Sequence, residues 1–187
     1  MAMSLCLLII SSKIAINIGI IDMTLQTFSV IIISLILKYK KAFIVFFTYI
    51  IMGLIGFNVF SNGGGIYYVL KPSFGFILGF LLSSIVVGSN FYKDKKIAYY
   101  IKAVLGLLII DIVGLIYMYM ILNIYMDKSY SIMKILSIGL LPFIVKDIIS
   151  VSISAFVAYR LNPYLQYNMD YEYTDYDKNI SVNSNKS

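Results

Sequence analysis

Long apolar segments, separated by short polar ones, organise most of this chain. A transmembrane helix needs about 20 mainly apolar residues. The second and third segments are short for a full span, so we expect them to tilt or to have flanking lysines that snorkel. The pattern predicts an all-α integral membrane fold of six transmembrane helices, at about Leu5–Ile21, Met23–Leu37, Ala42–Phe57, Phe74–Phe91, Ile97–Met126 and Ile132–Leu161.

Composition agrees with a membrane protein. Hydrophobic residues make up 60% of the chain and charged residues 13%, which lies outside the range of soluble globular domains. The first apolar segment could be a cleavable signal peptide, but it has no basic region before it and no small-x-small cleavage site. We interpret it as helix one, interrupted at Ser11, Ser12 and Lys13.

The distribution of basic residues predicts the orientation. Cytoplasmic loops close to helix ends carry an excess of Lys and Arg. Here the basic groups fall between helices two and three, between helices four and five, and at the end of helix six. We expect both termini on the cytoplasmic side of a bacterial plasma membrane, crossed several times, with these residues beside them: Lys38, Lys40, Lys41, Lys93, Lys95, Lys96 and Arg160.

The composition changes at Pro163, where a polar, Tyr-rich sequence without an apolar face begins. We predict a transmembrane domain over residues 1–162 and a disordered polar cytoplasmic tail over 163–187. The basic residues of the domain are divided among short loops rather than gathered on one element. Topology and anionic lipid explain them better than nucleic acid, so no nucleic-acid binding is expected.

Several kinds of chemistry lack their residues. The chain has no histidine and one cysteine, which excludes His-dependent catalysis and His- or Cys-ligated metal sites. It also has no P-loop motif. Asp111 and Asp147 could suggest an aspartyl protease, but neither has the Gly-Asp setting expected there. We predict no enzyme, metal or cofactor; Asp111 could meet Lys13 or Lys134, or be neutral because of desolvation.

A glycine-rich segment interrupts the apolar pattern at "NVFSNGGGIYYVLKPSFGFILGF". Gly63, Gly64 and Gly65 permit positive φ and close approach of the backbone. Nearby Asn and Ser side chains suit a neutral polar ligand. The alternative is a flexible external connection. Polar backbone at membrane depth needs protein or a water-filled cavity around it, which favours a packed segment.

Small residues recur every fourth position in two predicted helices, at Gly75, Gly79 and Ser83 and again at Ser150, Ser154 and Ala158. This spacing lets helices pack closely, either within the protein or against a partner subunit.

Two prolines and one charged pair mark the ends and breaks of the predicted helices. Pro72 is expected to open helix four, and Pro142 to kink helix six or to begin its well-formed part. The charged pair Lys146 and Asp147 follows in helix six, where ionisable groups are functional candidates; a structural ion pair is the alternative.

Three motifs in order resemble the BioY family, the biotin-specific substrate-binding (S) components of energy-coupling-factor (ECF) vitamin transporters. They are "TLQT" opening helix two, "GLIGFNVFSNGGGIYYVLKPSFGFILGF" and "GLLPFIVKDIIS", and the resemblance covers about residues 15–160. It implies an ECF S-component-like bundle that binds biotin with high affinity on the external side. Translocation would depend on an ECF coupling membrane protein and two ATP-binding subunits. Alternatives are another small vitamin or biotin precursor, or a non-transporting membrane scaffold.

The resemblance also implies a ligand site. Asp147 matches the family aspartate that holds the ligand, and the glycine-rich segment matches the loop above it. The family lysine three residues later is Ser150 here; Lys146 lies on the same helical face, and Lys71 is a second candidate cation. Partner docking would use the small residues Ser11 and Ala15 of helix one. The predicted ligand-binding residues are Gln26, Asn58, Ser61, Asn62, Gly63, Gly64, Gly65, Tyr67, Lys71, Phe76, Lys146 and Asp147.

Overall fold

The computed structural model describes residues 1–17, 19–89 and 96–161, and it is mainly helical. The predicted tail and the lysines at 93 and 95 lie outside the described residues. Within these described ranges, six helices and one β-hairpin form the framework, with a short 3₁₀ helix at Ile66–Leu70 and a π-helical turn at Ile121–Tyr125. The helices are α1 Ala2–Lys13, α2 Gln26–Ile55, α3 Phe74–Val87, α4 Lys96–Met120, α5 Ile132–Gly139 and α6 Ile144–Leu161; the strands are β1 Ala15–Asn17 and β2 Asp22–Thr24.

The predicted second and third helices correspond to the two arms of α2, which lie on either side of a break in the helix. Helix α2 is broken at Lys38, whose backbone has φ 59° and ψ 169°. The backbone N–H of Tyr39 donates to the carbonyl of Gly88 at 3.1 Å, which ties the break to the end of α3. A Cβ on Gly88 would collide with the backbone of Tyr39, so only glycine permits this approach.

The first predicted helix is too long. Helix α1 ends at Lys13, and residues 15–24 instead form an antiparallel hairpin in which Ala15 pairs with Thr24. Its turn contains Gly19, with φ +116°, whose N–H donates to Asn17 Oδ1 at 3.0 Å. Asn and Gly favour such turns over helix, so the predicted end of helix one and start of helix two are wrong.

One described helix, Lys96–Tyr125, is long and apolar enough to cross a membrane, and a second is present if the bent pair α5 and α6 forms one span. That pair bends by 52°, and Pro142 lies at the break, as the sequence predicts. Pro72 does not open α3; it precedes Ser73, the N-cap residue. Helices α1 and α3 are apolar but have 12 and 14 residues.

The small residues of α3 pack within the protein. A Cβ on Gly79 would lie 2.9 Å from the Cα of Ile110 in α4, and one on Gly75 would overlap Tyr117. In α6, Ser154 Oγ donates to the carbonyl of Phe28 at 3.0 Å. These contacts confirm that the small residues of both helices pack within the protein.

Ser11 and Ala15, the small residues of helix one predicted to contact a partner subunit, do not form one helical surface. Ser11 is buried in α1, where its Oγ donates to the carbonyl of Leu8 at 2.9 Å. Ala15 belongs to β1. The two residues therefore do not share a helical face, because the helix ends between them.

Candidate ligand-binding site

A cavity opens between the hairpin, the start of α2, the 3₁₀ segment and helices α3, α4 and α6. It contains about 590 Å³ of space free of atoms, counting its open mouth. Pockets for small organic ligands combine apolar walls with a few polar groups. The lining has that character: Ile21, Asp22, Thr24, Gln26, Thr27, Ser61, Tyr68, Ser73, Phe76, Ile77, Phe80, Ile110, Asp111, Gly139, Phe143, Lys146 and Asp147.

The charged pair predicted in helix six lies at the wall of this cavity. Asp147 is in the first turn of α6, where its N–H donates to the carbonyl of Phe143 at 2.8 Å. Lys146 Nζ lies 2.7 Å from Asp147 Oδ1 and donates to Thr24 O and Thr27 Oγ1, each at 3.1 Å. The ammonium group therefore has three oxygen neighbours, two that accept its hydrogen bonds and the carboxylate with which it forms an ion pair.

Asp147 keeps unused hydrogen-bonding capacity. Its side chain is buried, and its Oδ1 accepts no well-aligned hydrogen bond within the described part of the chain despite the nearby lysine charge. The Lys146 ammonium compensates the charge of the carboxylate, which still has lone pairs that can accept further hydrogen bonds. The carboxylate is therefore placed to accept an N–H from a molecule in the cavity.

Gln26 is held at the edge of the cavity by a buried network. Its Nε2 donates to Tyr49 Oη at 2.8 Å, and Tyr49 Oη donates to the carbonyl of Val59 at 3.0 Å. Ser12 Oγ donates to the same carbonyl at 2.6 Å. The network fixes the glycine-rich segment against α1 and α2.

The glycine-rich segment is compact. Gly63 and Gly65 both have φ +106°, and a Cβ on Gly64 would collide with the carbonyl oxygen of Phe57. The N–H of Gly65 donates to the carbonyl of Gly53 at 2.7 Å. The prediction of positive φ and close backbone approach is confirmed, although what Gly64 approaches is the protein's own backbone.

Some of the predicted ligand-binding residues line the cavity. Gln26, Ser61, Phe76, Lys146 and Asp147 line it. The residues that lie outside its lining are Asn58, Asn62, Gly63, Gly64, Gly65, Tyr67 and Lys71.

The residues outside the lining have other contacts. Asn58 Oδ1 accepts a hydrogen bond from Lys13 Nζ at 2.6 Å. The side chain of Tyr67 is 82% exposed, whereas the neighbouring Tyr68 is buried, lines the cavity and has its Oη 3.1 Å from Ser61 Oγ.

Lys71 lies beside the mouth of the cavity. Its Nζ is 4.5 Å from the centre of the Tyr68 ring and donates to Asn62 O at 3.1 Å. The side chain is exposed, so it is accessible to the distal end of a ligand that emerges from the cavity.

Asp22, Asp111 and several neutral residues of the lining are absent from the predicted set. Thr24 and Thr27 could have been found, because they belong to the "TLQT" motif. Asp111 does not meet either predicted lysine: Lys13 bonds to Asn58, and Lys134 Nζ lies 4.4 Å from the centre of the Tyr130 ring. In the described ranges no group of three or more His, Cys, Asp or Glu side chains could hold a metal ion.

Asp22 links the hairpin to the glycine-rich segment at the cavity mouth. Its Oδ2 accepts a hydrogen bond from Asn62 Nδ2, and its Oδ1 accepts one from Asn17 Nδ2 at 3.1 Å. Asp22 itself lines the cavity. The two contacts hold the exposed hairpin across one side of the mouth.

Asp22→Ala removes both acceptors, so we expect the dissociation rate of a bound ligand to rise about 3- to 10-fold, as for the loss of exposed hydrogen bonds worth about 1 kcal/mol. Stopped-flow displacement measures this rate. Asp127→Ala, in an exposed turn, is the control. An unchanged rate in Asp22→Ala would mean that the link does not retain the ligand.

Comparisons with known proteins point to one family. A model of the BioY family matches residues 1–167. The chain is 32% identical over 163 residues to "Probable biotin transporter BioY" of Lysinibacillus sphaericus, covering 86% of this chain and 83% of that protein. It is 32% identical over 157 residues to "Biotin transporter BioY" of Thermotoga maritima, covering 83% and 89%.

The fold is also found among solved structures. The crystal structure of the S-component for biotin from an ECF-type ABC transporter aligns with a TM-score of 0.74 over 86% of this chain and 87% of that one. The two sequences are 23% identical. The likeness shows a shared fold.

Proposed function

This chain belongs to the BioY family, and from that premise we propose that it is the biotin-binding S component of an ECF-type vitamin transporter. The observation that carries the proposal is the buried carboxylate of Asp147, paired with Lys146, in the wall of a cavity with apolar sides. Relatives named as biotin transporters support the choice of ligand.

Biotin fits the chemistry of this cavity. Its ureido ring is neutral and offers N–H donors, and its sulfur-containing ring is apolar. Asp147 would accept a ureido N–H, because a carboxylate is an acceptor-only group when ionised. Tyr68, Phe76 and Phe80 would cover the apolar ring. The chain would bind biotin without altering it chemically.

We also propose a topology. The two arms of α2 would be separate passes, giving six transmembrane helices when α5 and α6 count as one, in the bacterial cytoplasmic membrane. Lys38, Lys40, Lys41 and Arg160 are exposed, as basic groups at a cytoplasmic surface would be. Both termini would then lie in the cytoplasm and the cavity mouth would face outward.

Transport requires partners in this proposal. The chain has no P-loop motif, so ATP hydrolysis would come from two ATP-binding subunits through a coupling membrane protein. Ser11 and Ala15 do not support contact with the coupling protein, because Ser11 is buried.

Equilibrium binding of labelled biotin to the detergent-purified chain tests the function. Saturable binding that unlabelled biotin displaces is the expected result. Stronger displacement by dethiobiotin than by biotin would identify a precursor as the ligand. No binding, together with no ligand-induced thermal shift, would leave a scaffold of the same fold as the better description.

The biotin carboxylate is expected to meet Lys71 rather than Lys146. Lys146 Nζ already has three oxygen neighbours, so its role is to position Asp147. We expect Lys71→Met to lower biotin affinity about 2- to 5-fold, as for an exposed ion pair, and to leave biotin amide affinity unchanged. Lys146→Met is expected to lower the affinities for biotin and biotin amide by the same factor.

Isothermal titration of biotin and biotin amide measures these two affinities in each variant. Lys128→Met is the matched control, because Lys128 is exposed in a turn. If Lys146→Met affected biotin alone, Lys146 would be the cation that replaces the family lysine.

A further inference from the structure

Asp111 is an acid inside the cavity that nothing so far explains. It lies in α4, after the buried Ile110, and lines the same cavity as Asp147. Among the described residues it has no hydrogen-bonding partner. An acid in the middle of an apolar span is costly, and such residues face interiors or cavities and are functional candidates.

The other charged groups of the lining are already matched. Asp22 accepts from Asn17 and Asn62, and Asp147 is paired with Lys146. The lining contains three acids and a single lysine within the described ranges. Within the described ranges, Asp111 is therefore the acid of the lining with neither a hydrogen bond nor an ion pair to the protein.

Two carboxylates on different helices, α4 and α6, wall the same space. Each can accept hydrogen bonds from a ligand, and the Asp147 side chain is buried beside Lys146. The complementary ligand group is one that donates in two directions. A cyclic urea does so, because an N–H lies on each side of its carbonyl.

We propose that Asp111 is a second ligand-contacting residue, which accepts one N–H of a cyclic urea while Asp147 accepts the other. The inference rests on the proposed function, since biotin contains this group. In this proposal, residues from both α4 and α6 determine the specificity for the ureido ring. A ligand with only one of the two N–H groups would lose one of the two contacts.

The test compares biotin with two derivatives, each methylated on one of the two ureido nitrogens. Wild type is expected to bind biotin at least about 10-fold more tightly than either derivative. Asp111→Leu, nearly the same size, is expected to weaken biotin binding about 10- to 100-fold, as for a buried N–H left without an acceptor. It should also lose discrimination against one methyl derivative and keep discrimination against the other.

Asp147→Asn provides the complementary measurement, because it is expected to lose discrimination against the opposite derivative. Asp111→Asn keeps the size and one acceptor oxygen, so a loss of about 3- to 10-fold is expected and this variant serves if Asp111→Leu does not purify. Asp127→Asn, in an exposed turn, is expected to behave as wild type.

The proposal is overturned if Asp111→Leu binds biotin within about 2-fold of wild type. It is also overturned if Asp111→Leu weakens biotin and both derivatives by the same factor, since that marks a structural role. Either result leaves the proposed function intact. If the wild-type chain does not bind biotin, the proposed function itself fails, and the role of Asp111 fails with it.

Discussion

Replacing Asp147 with asparagine is expected to weaken biotin binding by about 100-fold, or about 3 kcal/mol. The substitution turns a charge-assisted acceptor into a neutral one and leaves the Lys146 ammonium without its carboxylate in a mostly buried site. Both effects act at the atoms that would meet the ligand. Isothermal titration of biotin with the purified variant gives the loss of affinity directly.

A double variant separates recognition from folding. Breaking a buried ion pair destabilises a protein, whereas removing both charges can be nearly neutral. We therefore expect Lys146→Met combined with Asp147→Asn to recover thermal stability relative to Asp147→Asn alone, without recovering biotin binding. Wild-type affinity in the single variant would show that the carboxylate does not contact the ligand.

Gly79→Val is expected to lower the free energy of unfolding by about 2–4 kcal/mol and to weaken biotin binding as well. A Cβ at this position would already lie 2.9 Å from the Cα of Ile110 and 3.1 Å from its carbonyl oxygen. Backbone atoms cannot avoid the added side chain by changing rotamer, so α3 and α4 must move apart. Ile110 lines the cavity and precedes Asp111, so the site moves with the helix.

The measurement is thermal unfolding in one detergent, with Leu82→Val as the matched control. Leu82 lies in the same helix, its side chain is 48% exposed, and the substitution introduces the same residue. The control is expected to stay within about 1 kcal/mol of wild type. Equal melting temperatures for the two variants would show that the contact at Gly79 does not hold the helices together.

Local sequence signals predicted much of the fold. The apolar segments yielded helices, Pro142 marked the break between α5 and α6, and the small residues of α3 pack against α4. The first segment was the main failure, because apolar composition hid the turn signals of Asn17 and Gly19. The described hairpin depends on a backbone geometry that hydropathy does not encode.

The functional residues were predicted only in part. Asp147 and Lys146 were found because charged groups stand out in an apolar helix, and both line the cavity. Tyr67 was placed in the site, but its neighbour Tyr68 faces inward. A single position in a 3₁₀ turn changes the direction of a side chain by about a third of a turn, which composition cannot reveal.

By itself the sequence determined three things. It showed that the chain is a set of apolar helices, at which positions glycine permits an unusual backbone conformation, and which residues can carry charge. Only the tertiary structure decided that Asp22, Asp111 and Asp147, from three different elements, border one cavity, and that Lys146 faces Thr24 and Thr27. The physical reason is that periodicity relates residues within one helix, whereas contacts between helices depend on packing across the whole bundle.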